Sequence, residues 1–315
     1  VNASFTVISA VIPVFGVIGL GLLIRKLNWL TGEADQSLVR VNINLLFPCL
    51  ILDSAVGNAA FSNPANLVLA PLVGFAMLLV SLSASYGIAQ FLRLSKPAEK
   101  RTFAVTVAIQ NYSYMALPLA ILLFGAGTTG VLFLHNVGVE TGMWTLGVMM
   151  LSGAGLGRSW RNIFNAPFLA IVLAAFVNAT GADAHVPAFL HTAIHWLGQC
   201  AIPMSLLLIG AIVSDYLREF HSAAGWRVIG AAILLRLAVL PMLILLVARF
   251  LPASVELKQV LVLQAAMPSA VFPIVMSSHY GGDPPTALRV VLGTALLGLL
   301  TIPLWIKFGM HFAGL

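Results

Sequence analysis

The chain reads as an all-α polytopic membrane protein, ten transmembrane helices arranged as a 5+5 inverted repeat. Three observations predict this. Of its 315 residues, 60% are hydrophobic and 8% charged, where a soluble domain has about 25% charged residues. Ten apolar stretches, most of them close to the ~20 residues that a spanning helix needs, run from one end of the chain to the other. Six prolines form two matched sets, Pro13, Pro48 and Pro118 against Pro167, Pro203 and Pro273, spaced by 35 and 70 residues in the first and by 36 and 70 in the second. Five helices per repeat is an odd number, which turns the second repeat upside down relative to the first, as in many secondary transporters.

In the first repeat, residues 1–152, the expected spans are 5–24, 34–55, 66–92, 102–124 and 128–151. The first has full length and no basic leader, so no cleavable signal peptide is expected. The second is weakened by Asn42 and Asn44, the fourth by the run from Asn111 to Tyr114, and the fifth holds the polar run from Leu134 to Gly142. In the second repeat, residues 163–315, they are 163–180, 189–213, 225–249, 257–277 and 286–311. Cys49 and Cys200 lie within spans beside Pro48 and Pro203, where free cysteine acts as a small hydrophobe.

The net charge of +6 does not point to nucleic acid, because the basic residues occupy short connections between apolar spans and form no water-facing patch. They report orientation. With the N-terminus outside, the cytoplasmic connections and their flanks hold Arg25, Lys26, Arg40, Arg93, Lys96, Lys100, Arg101, Arg158, Arg161, Arg218, Arg227 and Arg289, against Arg249, Lys258 and Lys307 outside. The positive-inside rule then places both termini outside, on the non-cytoplasmic side of the membrane. Arg236 alone lies near a span centre.

Aligned at an offset of 155, Pro48 meets Pro203 and Pro118 meets Pro273, which superimposes the fourth span on the ninth. Proline lacks the amide proton and clashes with the preceding turn, so Pro118 and Pro273, with Pro268 nearby, are expected to break these spans. Unwound backbone survives in a membrane only where protein or a hydrated cavity satisfies it. Two such breaks related by an inverted repeat should meet at one site, with half-helix N-termini that favour an anion. Asn111, Tyr112, Ser113, Tyr114, Gln264 and Ser269 supply hydrogen-bonding groups there, either to a substrate or to the broken backbone itself.

Of the ten acidic residues, Glu140 is the one near a span centre. It is a candidate proton carrier, or else a structural carboxylate neutralised by Arg236 or by a hydrogen bond from His135. Five residues separate His135 from Glu140, about 140° around a helix, whereas Asn136 and Glu140 share a face. These three are the proton-coupling candidates. Gly138 and Gly142 form a GxxxG of the kind that marks close helix packing.

Other chemistries find little support. No Cys or His pair has metal spacing, although His191 and His195 share a helix face. No phosphate-binding glycine loop is present, and Ser113 with His135 is the one nucleophile and base pairing that can be constructed. No enzymatic activity, metal or cofactor is expected.

The order of several weak motifs carries a resemblance. Val262 to Pro268, Val271-Phe272-Pro273, Tyr280-Gly281-Gly282 and Thr301 to Trp305 look like the C-terminal half of the auxin efflux carrier family. Pro13 to Gly16 with Arg25-Lys26, Asn111 to Pro118 and Arg161 to Pro167 also fit its pattern, so the resemblance covers the whole chain. The family includes plant auxin exporters and bacterial malonate and malate permeases. It implies a fold like that of the sodium/bile-acid symporters, with a scaffold of spans 1, 2, 6 and 7 and a transport domain of spans 3, 4, 5, 8, 9 and 10 that moves as an elevator, commonly in a homodimer. By position, Asn111 matches the family asparagine that contacts a substrate carboxylate. Many bacterial members have an asparagine near Phe272, where this chain is apolar, and the long cytoplasmic loop of the plant exporters is absent, since the connection at 152–162 is short.

The resulting expectation is a secondary transporter of a small mono- or dicarboxylate, such as malonate, malate or an auxin-like acid, driven by a proton or sodium gradient. Cation/proton exchange on the same fold, or sensing without translocation, are the alternatives.

Overall fold

The structure, a computed structural model, describes residues 3–92, 94–153, 164–217 and 225–315. Arg93, Arg158, Arg161 and Arg218, which carried part of the orientation argument, lie outside the described residues, as does most of the connection at 152–162.

Every expected span falls on helix. In the first repeat these are α1 (Ala3–Lys26), then α2 (Gly32–Val41) and α3 (Phe47–Ala55) joined by a π-helical turn over Asn42–Leu46, and then α4 (Pro64–Ala89). The fourth span is split into α5 (Pro97–Ala108) and α6 (Ala116–Leu123). The fifth is α7 (Ala126–Gly142), a π turn over Met143–Gly147 and α8 (Val148–Ser152). The second repeat begins with α9 (Ala166–Thr180) and α10 (Ala188–Leu217). Next come α11 (Trp226–Leu234), a π turn over Leu235–Val239 and α12 (Leu240–Phe250). The ninth span is split into α13 (Val255–Ala266) and α14 (Phe272–His279), and α15 (Pro284–Ala313) closes the chain. Among the described residues, four helical segments are long and apolar enough to cross a membrane unaided, or five if the two arms of the bent α15 count as one. α9 is apolar but shorter.

Local chemistry sets the helix starts. Asn63, Asn165, Ser254 and Asp283 each cap a helix by accepting a backbone N–H, and Pro64, Pro167 and Pro284 follow in first-turn positions where their missing donor costs nothing. The same rule corrects one expectation. Pro118 and Pro273 do not lie in the breaks; they stand in the first turns of α6 and α14, and the interruptions are upstream, over 109–115 and 267–271. Pro13 and Pro203 lie inside continuous helices.

Helix packing comes in matched pairs, as two copies of one unit would make. α1 packs on α10 and α3 on α9; α4 packs on α5 and α12 on α13; α4 packs on α7 and α11 on α15; α5 packs on α15 and α13 on α7. At one end Arg25 ties α1 to its neighbours, pairing with Asp35, bonding the Leu30 carbonyl at 2.7 Å and approaching Asp215 at 3.2 Å. Elsewhere His195 pairs with Asp53 at 3.0 Å and His191 with Asp183 at 3.2 Å, tying α10 to α3 and to the turn before it.

Glycines bring two of these pairs into backbone contact. A Cβ on Gly138 would stand 1.8 Å from the Pro71 carbonyl oxygen, and one on Gly74 would stand 2.2 Å from that of His135, so α7 and α4 touch along the expected GxxxG. Gly21 and Gly210 do the same for α1 and α10. Gly138→Ala is therefore expected to force the helices apart at a cost of ~1–3 kcal/mol, lowering the melting temperature of the detergent-purified protein. Gly87→Ala, with open space around its Cβ, should leave that temperature unchanged or slightly raised.

Candidate functional site

The two interrupted spans meet at their interruptions. The extended segments run antiparallel and pair: Asn111 N–H donates to the Pro268 carbonyl at 2.8 Å and Ala270 N–H to the Ile109 carbonyl at 2.9 Å, on either side of a bridge between Gln110 and Ser269. Backbone groups left unmatched in an apolar interior cost several kcal/mol each. Pairing the two breaks with each other removes four of these groups at once.

Side chains take most of what remains. Asn136 of α7 donates to the Tyr112 carbonyl and to Ser113 Oγ, both at 3.2 Å. Gln264 of α13 donates to the same Tyr112 carbonyl at 3.1 Å and to Asn136 Oδ1 at 3.3 Å. Asn111 Oδ1 accepts from Met115 N–H at 3.2 Å, at the start of α6, and Thr294 of α15 accepts from Ser269 N–H at 3.2 Å. On the other side of the second break, Arg236 donates from Nε to the Met267 carbonyl at 3.0 Å and from Nη2 to the Gln264 carbonyl at 3.2 Å. Its side chain is fully buried.

Beside this crossing opens a cavity of about 100 Å³. Asn111, Tyr112, Ser113 and Tyr114 form one wall; Asn136, Glu140, Met143 and Trp144, from the fifth span, form another. Phe47 and its neighbours on the second span, with Asn165, Pro167 and Ile171 of the sixth, make the third, and Ala270 and Phe272 close it from the second break. The Phe47 and Tyr114 rings meet edge to face at 5.4 Å, and Trp144 meets Phe272 in the same way at 5.6 Å. The second break thus presents an apolar surface to the cavity, as expected from Phe272.

Of the residues singled out from the sequence, Asn111, Tyr112, Ser113, Tyr114, Asn136 and Glu140 come together at this cavity. Gln264, Ser269 and His135 do not line it: Gln264 braces the breaks through its amide, Ser269 takes part through its backbone while its Oγ has no partner, and His135 is buried on α7 with both ring nitrogens unpartnered. Two expected partners of Glu140 are corrected. Neither Arg236, which binds carbonyls, nor His135 reaches it. Its carboxylate accepts instead from Asn165 Nδ2 at 3.1 Å, and the Tyr112 phenol lies against it.

Asn165 and Trp144 escaped the sequence reading as site residues. Asn165 caps α9 through Oδ1, which turns Nδ2 toward Glu140; an asparagine one residue before Ala-Pro at the head of an apolar run was the available signal. Met143 and Trp144 open a π turn, and such turns re-aim side chains at functional sites. No group of three or more His, Cys, Asp and Glu suited to a metal occurs among the described residues.

A family model described as "Membrane transport protein" matches residues 6–159 and again 156–306. Two tandem matches to one model point to an internal duplication. An "Uncharacterized transporter" of Methanothermobacter thermautotrophicus is 26% identical over 302 residues, covering 94% of this chain and 96% of its own length. A protein of Rhizobium meliloti named "Putative malonate transporter" is 26% identical over 304 residues, covering 93% and 92%.

The bracing role assigned to Asn136 has a direct check. Asn136→Ala leaves Ser113 and the Tyr112 carbonyl with one donor fewer and Gln264 with one acceptor fewer, an expected loss of ~1–3 kcal/mol seen as a lower melting temperature. Ser113→Ala, which gives up a single bond in the same network, should cost less.

Proposed function

Because the chain belongs to the membrane transport protein family, that of the auxin efflux carriers, we propose that it is a secondary transporter of a small organic anion, a mono- or dicarboxylate such as malonate or malate. The observation that carries this is the crossing itself: two interrupted helices paired through their backbones beside a cavity lined by neutral donors. Asn111 Oδ1 is engaged by Met115, so its NH2 group is the end available to a ligand. Ser113 Oγ accepts from Asn136, which leaves its proton to donate. Those two groups bind the carboxylate, the start of α6 adds partial positive charge, and the aromatic side chains enclose the carbon skeleton.

Among the described residues Glu140 is the one acid lining the same cavity, held by Asn165. An anion beside an ionised Glu140 is repelled, so protonation of Glu140 and binding of the substrate favour each other by linkage. This makes proton symport the natural coupling. In this reading the chain crosses the membrane ten times with both termini outside, and the spans packed around the crossing shift as a body against α1, α3, α9 and α10. A second reading, cation/proton exchange, is favoured by one observation: no Lys or Arg lines the cavity among the described residues.

Uptake of labelled malonate, malate and indole-3-acetate into proteoliposomes under imposed proton gradients tests both. Saturable anion flux is expected, with KM raised ~10–100-fold in Asn111→Ala through the loss of a charge-assisted hydrogen bond. Glu140→Gln should retain anion exchange while losing accumulation driven by the proton gradient. Absence of anion flux, with proton movement driven by an added cation instead, moves the assignment to exchange.

A further inference from the structure

Arg236 is a fully buried cation with no acid beside it. Among the described residues no carboxylate lies within ion-pair distance of it, and its Nη1 has no hydrogen-bond partner. Its positive charge is met only by backbone oxygens: the Gln264 carbonyl in the last turn of α13 and the Met267 carbonyl just past it. The C-terminal end of a helix carries partial negative charge and leaves its last carbonyls unpaired. In transporters with interrupted helices, such ends and the unwound carbonyls after them are where a coupling cation is coordinated. Arg236 reaches that position from the π turn between α11 and α12, where the extra residue per turn changes the direction its side chain takes.

The first break has no counterpart. At the repeat offset of 155 the matching residue is the neutral Ser81, and the Tyr112 carbonyl is served by the amides of Asn136 and Gln264. The charge at the crossing is therefore one-sided, placed behind the second break, on Met267 and Gln264, which do not line the cavity.

We propose that the Arg236 guanidinium is the resident cation of the second break, standing on the carbonyls that would otherwise coordinate a free coupling ion, so that transport requires no sodium there. The proposal rests on the transport reading for its flux prediction but not for its binding prediction. It makes Arg236 a positioning residue: it holds the second break in the shape that pairs with Asn111, without touching substrate.

The test uses the full chain in detergent and in proteoliposomes, with Arg236→Ala and Arg236→Lys. Exchanging sodium for N-methylglucamine should leave malonate flux of the unsubstituted protein unchanged within twofold. Arg236→Ala should lose most of the flux, and Arg236→Lys should keep a part of it. Guanidinium chloride at about 50 mM, too dilute to denature, should raise the melting temperature of Arg236→Ala by about 2 °C or more and restore a part of its flux. Sodium should raise its melting temperature as well and N-methylglucamine should not, and neither ion should shift the unsubstituted protein. The melting experiments need no substrate, so a failed substrate assignment leaves them intact. Sodium-saturable flux in the unsubstituted protein overturns the proposal, as does an Arg236→Ala protein indifferent to both small cations. Where Arg236→Ala does not fold, Arg236→Gln takes its place in the same comparison.

Discussion

The structure depends on a single requirement, that backbone groups released by breaking two helices inside an apolar protein must all find partners. The two breaks meet most of it together, through the bonds between Asn111 and Pro268 and between Ala270 and Ile109. Neither interruption would be stable alone, since each would leave donors and acceptors facing hydrocarbon side chains. This explains why a cluster of buried polar side chains gathers at the crossing. Asn136, Gln264, Thr294 and Arg236 come from four different helices and converge on the same few carbonyls and amides.

The electrostatics of the region follow from that convergence. The side facing the cavity offers neutral donors and one carboxylate, and the side facing away holds the guanidinium. An anion in the cavity is thus met by groups that can be desolvated cheaply, while the expensive charge stays permanently solvated by carbonyls. The glycine contact of α4 with α7 holds the helix that carries Asn136 close against its neighbour.

Much of this architecture is legible in the sequence, because spans and breaks are written in composition. The ten apolar stretches fall on helices, and the polar run from Asn111 to Tyr114 marks the first break correctly. Pro268 lies in the second break as expected, whereas Pro118 and Pro273 mislead by a few residues, since a missing donor suits the first turn of the resumed helix better than the interruption before it. Partner assignments were less legible. Charge complementarity suggested Arg236 for Glu140, but the carbonyls at and just past the end of α13 compete for the same guanidinium, and no side-chain pattern announces them. Asn136 and Gln264 look like ligand groups by type; which way each points is decided by backbone that unwinds elsewhere in the chain.

The matched packing of the two repeats is incomplete in one respect. α1 packs against α6 and α15, whereas α9, its counterpart, touches α7 but makes no comparable contact with α14. The cavity lies on the side of α9, with Asn165, Pro167 and Ile171 in its wall. Two halves of similar sequence therefore pack unequally around the crossing, tightly beside α1 and loosely beside α9. The duplication thus holds a tighter and a looser packing of similar sequence in one chain, and the cavity lies beside the looser one.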